Sequence, residues 1–402
     1  MSHPPKLAVV VSHPIQYYAP WFRHIVASGA ARLRAFHLWD FGVTTQRDAG
    51  FGHALKWDVP LLDGYESEFF PNVSRHPGTD RFLGLRNPAL AGRVAAWDPD
   101  AVLVFGYGHA ALLRFLLTWR RHGRAPLLFR GDSHLIGRPP PRLRDRIRDS
   151  LTRLALGRCA AFLAVGAANR AFFLAHGAPP ERVFFAPHCV DNDRFAHDPA
   201  GTRAAALAWR AELGIAPERR VFLFAGKLEP KKRPDLLLEA FLAQPRPGAT
   251  LLFVGHGSLE AEVRARAAGR AEVVFAPFQN QAAMPRTYAA ADVLVLPSQG
   301  HQETWGLAVN EAMATGLPAI VSDHVGCRAD LIDEDETGWS FPAGSASALA
   351  QALTMAQARL SDPLHRARVA AKVAAKIRDY SYEAATNGLR AALAAIAPGA
   401  RA

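Results

Sequence analysis

Short, uninterrupted apolar runs alternate along this chain with longer stretches whose apolar residues recur at helical spacing. In the first half the runs are Leu7–Val11, Ala101–Phe105, Leu127–Phe129, Ala161–Val165 and Val183–Phe185. In the second they are Val221–Phe224, Thr250–Val254, Val273–Phe275, Val293–Leu296 and Ala319–Val321. Strands that are apolar throughout, without strict alternation, belong to parallel sheets covered on both faces. Two such series in succession predict an α/β chain of two doubly wound domains facing a cleft. The boundary is expected after Pro187-His188-Cys189-Val190-Asp191, giving domains over 1–198 and 199–379. Two further helices are expected near His365 to Ile377 and Glu383 to Ile396.

Composition narrows the class. The chain has 402 residues, 50% of them hydrophobic and 21% charged, which excludes a disordered chain, a collagen and a coiled coil. Its net charge of +11 asks for an anionic partner: nucleic acid, an anionic membrane or a phosphate-bearing substrate. The excess is local. Residues 101–158 carry 12 Arg and 3 Asp, whereas residues 200–402 carry 22 Lys+Arg and 20 Asp+Glu. The basic stretch 138–158 reads as a helix entered through prolines, with Leu143, Ile147, Leu151 and Leu154 on one stripe. Either that stripe packs on the core and the arginines are solvated, or the surface meets an anionic membrane or a lipid-linked diphosphate.

Cys159, Cys189 and Cys327 are too few and scattered for a disulfide framework or a zinc site, and fit a reducing cytoplasm. The run at Leu7–Val11 breaks at His13-Pro14, short of a signal-peptide core, and no stretch of 18 uncharged apolar residues follows. The expected location is therefore cytoplasmic, with peripheral contact to the inner face of a membrane as the further possibility.

Three loops carry candidate chemistry. After the Val293–Leu296 run comes Pro297-Ser298-Gln299-Gly300-His301-Gln302-Glu303-Thr304-Trp305-Gly306, then a helix with Glu311. Gly306 lets a ligand approach the backbone, and the free N–H groups of Gly306 and Leu307, at the positive end of the helix dipole, suit an anion. Two carboxylates would repel phosphate but accept hydroxyl hydrogen bonds, so a ligand with a sugar on each side of a diphosphate satisfies both Glu303 and Glu311. The second loop, Gly226-Lys227-Leu228-Glu229-Pro230-Lys231-Lys232-Arg233, holds three of the chain's 7 Lys. Compact ammonium groups there suit phosphate oxygens. The third, Gly255-His256-Gly257, is a weak signal on its own.

These segments, "ETWGLAVNEAMATGLPAIVSD", "AGKLEPKKRPDLLLEA", "FVGHGSLE" and "PHCVDNDRF", resemble the family 4, or group 1, retaining glycosyltransferases of GT-B fold. The likeness covers residues 183–342 well and the first 180 residues only loosely. It implies two Rossmann-like domains, a nucleotide-sugar donor held mainly by the second, an acceptor held by the first, and a C-terminal helix over 380–402 crossing back to the first domain. It further implies that Glu311 binds the donor ribose and Glu303 the transferred sugar, that Lys227 and Lys232 neutralise the diphosphate beside Gly226, and that Gly306 and Leu307 offer N–H groups, with Phe278 near the base. The chain departs from the family pattern in three places: Lys227 stands for Arg, Arg233 for Gly, and four residues rather than two separate Pro297-Ser298 from Glu303.

In the first domain, the loop after Val11 offers His13 and Gln16 to the cleft, at the strand end where open α/β sheets place ligands. After Leu127–Phe129, the resemblance implies that His134 approaches the transferred sugar, with Asp132 as its competitor. The implied reaction is retaining hexosyl transfer to an acceptor hydroxyl in polysaccharide, lipopolysaccharide or glycolipid assembly. Its donor is a nucleotide-diphosphate sugar, its acceptor a glycan or lipid-linked molecule, and neither a metal nor a nucleic acid is expected. A nucleotide-sugar epimerase or phosphorylase on the same fold, and more remotely a basic nucleic-acid-binding protein, are the other readings.

Overall fold

A computed structural model describes residues 3–44, 46–47 and 54–397. The strands are β1 Lys6–Val11, β2 Arg32–His37, β3 Gln46–Arg47, β4 Ala54–Leu55, β5 Glu66–Phe69, β6 Ala101–Phe105, β7 Leu127–Gly131, β8 Ala161–Ala164 and β9 Val183–Phe185. They continue with β10 Arg220–Ala225, β11 Ala249–Val254, β12 Val273–Ala276, β13 Val293–Leu296, β14 Ala319–Ser322 and β15 Gly338–Phe341. A seven-stranded sheet runs β5-β2-β1-β6-β7-β8-β9, and a six-stranded one runs β12-β11-β10-β13-β14-β15. Every pairing within these two sheets is parallel. Both are Rossmann-like, with strand order reversing beside β1 in the first and beside β10 in the second, the places where such sheets open a crevice for ligands.

Apolar residues on both faces of the central strands explain why the sheets are covered on both sides. Leu7, Val9 and Val11 pack with Trp21, Phe22 and Ile25, while Ala8 and Val10 pack with Phe36, Phe115 and Phe129 on the opposite face. The apolar runs did not reveal β2, β5 or β15. In β2, Arg32 and Arg34 interrupt the apolar sequence because both are held by Glu66 of neighbouring β5.

The chain returns to the first domain at its end. The helix Tyr382–Ile396 places Ala385, Leu389 and Ala392 in the core under β1. There a Cβ on Gly388 would collide with the carbonyl of Phe185, and Trp21 Nε1 donates to the buried Thr386 hydroxyl at 3.1 Å. Residues 398–402 of the expected 380–402 segment lie outside the described residues. The chain thus passes between domains twice, and Asn192, on the first passage, donates its side-chain amide to the carbonyls of Ile377 and Tyr380 on the second.

The basic segment forms the helix Leu143–Leu156, which turns Thr152, Ala155 and Leu156 inward. Its leucine stripe does not pack on the core: Leu143, Ile147, Leu151 and Leu154 stand 75, 55, 43 and 50% exposed. At about 100° per residue, Arg144 and Arg148 flank one side of this ridge and Arg146 and Arg153 the other.

Candidate active site in the interdomain cleft

Loops from the C-terminal ends of β1, β7, β10, β12 and β13 line a cleft of about 520 Å³ between the two sheets. Gln16, Asp132, Gly226, Lys227, Lys232, Phe278, Glu303, Gly306, Leu307 and Glu311, all expected from the sequence, share its wall.

Gly306 adopts φ +100° as the N-cap of the helix Leu307–Ala314. A Cβ there would lie 2.9 Å from both Leu296 Cδ2 and Val325 Cγ1, so only glycine fits. The opening N–H groups of the helix have no intrahelical acceptor and point their dipole into the cleft. The weak Gly255-His256-Gly257 signal has a mechanical explanation. Gly255, at φ +133°, abuts the carbonyl of Gly226, and Leu228 donates to the carbonyl of His256 at 2.9 Å, so two loops lie backbone on backbone and hold Lys227 in place.

Lys232 Nζ lies 2.6 Å from Glu303 Oε2, which also accepts from the Ser298 hydroxyl at 3.0 Å. The buried Glu303 carboxylate is thereby paired with the cation expected at the diphosphate. Glu311 is also buried. It accepts from the Tyr288 phenol at 2.7 Å and from Tyr17 of the first domain at 3.2 Å. Burial raises its pKa against the opposing pull of Tyr288, Arg194 and Tyr17. Arg194 is positioned by donating to the side-chain oxygen of Gln281 at 2.9 Å.

Two departures from the family pattern meet each other. Arg233 takes the left-handed conformation, φ +51°, at the position where the pattern has glycine. Its guanidinium is held by Asp235 at 3.0 Å and by the side-chain oxygen of Gln299, the first residue of the longer loop before Glu303. The backbone cost of a side chain in this region, roughly 1–2 kcal/mol, is offset by these contacts.

The structure does not bring His134 into the cleft. Its ring is buried, accepting at Nδ1 from the N–H of Ile136 at 3.1 Å and facing the carbonyl of Glu303 from Nε2 at 3.2 Å. Burial lowers its pKa, and the ring supports the Glu303 loop from behind. His13 lies outside the cleft wall, edge-on to Phe41 with centroids 5.3 Å apart. Asp132 does reach the cleft and accepts from Thr304 of the second domain at 2.6 Å. Sequence reasoning missed Tyr17, Tyr288 and His188. His188 is buried, stacked on Tyr18 at 6.2 Å, 3.9 Å from Asp132, and its carbonyl accepts from Asn310 at 3.0 Å. It stands in the "PHCVDNDRF" segment, and Tyr17 follows Gln16, so both were in view without a partner to identify them. Among the described residues no group of three or more His, Cys, Asp or Glu side chains is arranged to hold a metal.

Two Rossmann-like domains with their crevices opposed across one cleft define the GT-B fold. Within it, residues 206–373, most of the second domain, match the family described as Glycosyl transferases group 1, and that domain is one of this family. The D-inositol 3-phosphate glycosyltransferase of Actinosynnema mirum is 33% identical over 232 residues, 54% of this chain and 52% of that protein. Its counterpart from Segniliparus rotundus is 35% identical over 168 residues, 40% of this chain and 36% of that protein. The chain spans about half the length, or less, of these curated relatives. Among solved structures, Anabaena HepE in complex with UDP and glucose superposes with a TM-score of 0.70 at 18% identity, covering 98% of this chain and 100% of that one. WaaG, a glycosyltransferase involved in lipopolysaccharide biosynthesis, gives 0.67 at 17% identity, covering 98% and 100%. These likenesses bear on the fold.

Proposed function

We propose that this protein is a retaining glycosyltransferase that moves a hexosyl group from a nucleotide-diphosphate sugar to an acceptor hydroxyl, working against an anionic membrane in glycan or glycolipid assembly. The observation that carries the reading is the pair Glu303 and Glu311 on either side of the glycine-opened helix start, with Lys232 against Glu303. Ribose hydroxyls go to Glu311, sugar hydroxyls to Glu303, and the diphosphate to Lys227, Lys232 and the N–H groups at Gly306 and Leu307. Anabaena HepE, solved with UDP-glucose, is a neighbour of the same fold and makes a nucleotide sugar the natural first ligand to try.

Negative charge grows on the diphosphate as the glycosidic bond breaks. Lysines and a helix dipole fixed beforehand stabilise that charge most in the transition state. The mechanism calls on no metal, and turnover should persist in EDTA. The outward leucine ridge of the 143–156 helix, flanked by arginines, supports placement on an anionic bilayer: apolar side chains enter the headgroup boundary while arginines meet lipid phosphates.

The direct test is a nucleotide-sugar binding screen followed by analysis of the product's anomeric configuration. Binding of one donor class and a retained anomer support the reading. An inverted product, epimerised sugar formed without acceptor, or a requirement for inorganic phosphate would replace it.

A further inference from the structure

A second pocket, of about 500 Å³, opens between the 143–156 helix and the loop before Glu303. Its walls carry Arg138, Arg142, Arg144 and Arg148 from the first domain, His301 from the second, and the carboxylates Asp145 and Asp149. Four guanidinium groups against two carboxylates leave a surplus of two positive charges before His301 is counted.

The donors are largely uncommitted. Arg138 reaches Asp149 at 3.7 Å, and Arg144 and Arg148 reach Asp145 at 3.9 and 3.7 Å, all beyond hydrogen-bond length. The Nε of Arg138 is buried with no hydrogen-bond partner. Asp145 is engaged elsewhere, accepting from the backbone N–H of Arg142 at 3.0 Å. Arg138 is 24% exposed and its guanidinium carbon lies 5.3 Å from the Phe172 ring centroid, which holds the head group at the pocket wall, and the planar forks of the four arginines match phosphate oxygens.

The pocket shares a wall with the cleft. A Cβ on Gly137 would come within 3.1 Å of the carbonyl carbon of Gly300, so the segment before Arg138 lies against the 299–303 loop. That loop sends His301 into this pocket and Glu303 into the cleft, two residues and at most about 7 Å of chain apart. Resting on the function proposed above, we infer that this pocket binds a phosphate group of the acceptor, so that the acceptor hydroxyl enters the cleft beside Glu303 while its phosphate is anchored by Arg138 and Arg148.

Isothermal titration of the full chain with pyrophosphate tests this in wild type, Arg138→Gln/Arg148→Gln and Lys232→Ala. Wild type should show two sites. The arginine pair variant should lose one, its Kd rising at least about tenfold, the scale expected for hydrogen bonds to charged groups, and Lys232→Ala should keep that one. Arg148→Gln alone, at a solvent-exposed side chain, gives the same readout if the pair variant does not fold. A titration unchanged by the arginine substitutions overturns the site. Dihexanoyl phosphatidic acid binding more tightly than glucose 6-phosphate assigns the phosphate to a lipid-linked acceptor, and the reverse order to a soluble one. Failure of the donor reading is separate: no nucleotide sugar binds wild type, yet pyrophosphate still loses a site in the arginine variants.

Discussion

The phenol of Tyr17, on the first domain, donates a 3.2 Å hydrogen bond to the Glu311 carboxylate on the second. If donor ribose takes that carboxylate, the phenol must yield. Tyr17→Phe should therefore tighten nucleoside diphosphate binding by about two- to tenfold, the worth of one net hydrogen bond. Calorimetry checks this, and weaker binding would remove ribose from Glu311.

Lys232 and Glu303 form one unit. Lys232→Ala leaves a buried carboxylate without its cation, and Glu303→Gln leaves the ammonium without its partner. Each should lower kcat/KM for donor by at least about tenfold, with the double variant far short of the product of the two, as expected for directly paired groups. Additive losses would mean that the two act apart.

How much of this could be read beforehand depended on whether a residue's neighbours lie nearby in the chain. The Gly306 helix start and the Lys227–Lys232 loop are local, and their place at strand ends facing the cleft was legible. His134 was misplaced because its environment is set by Glu303, 169 residues away. Tyr17 gains meaning only through Glu311, and β2 was hidden because the ion pairs excusing its arginines come from Glu66. The leucine stripe at 143–154 was legible as a stripe, but only packing shows which way it faces.

Arg233 supplies a test of backbone strain. Asp235→Ala should destabilise the protein by about 1 kcal/mol, because the left-handed Arg233 loses its partner. Adding Arg233→Gly should recover part of the loss, measured by denaturant unfolding. Equal destabilisation in single and double variants would show that Asp235 acts through something other than Arg233.

Asp132 gives a pH signature. Burial works against its charge, but the His188 ring and the Thr304 hydroxyl outweigh burial and hold its pKa at about 2, against an ordinary 3.8. A depressed folded-state pKa contributes stability that is complete above the unfolded value and lost as pH falls through the folded one. The Tm difference between wild type and Asp132→Asn should accordingly shrink as pH falls from about 4 to 2. A constant difference would show that the charge of Asp132 adds no stability.

The outward leucines predict membrane behaviour. Leu143→Ser, Ile147→Ser and Leu151→Ser together should leave Tm within about 2 °C, since exposed positions contribute little to folding. Sedimentation with phosphatidylglycerol vesicles should fall by at least about tenfold, since each inserted side chain contributes on the order of 1 kcal/mol. Wild-type protein that ignores the vesicles would exclude this surface as a membrane contact.

The two passages between domains, pinned together by Asn192 and the carbonyls of Ile377 and Tyr380, act as a single pivot. Any rotation of one sheet against the other that preserved these hydrogen bonds would have to turn about Asn192. Such a turn would widen the cleft only by breaking the Tyr17–Glu311 and Thr304–Asp132 hydrogen bonds that cross it.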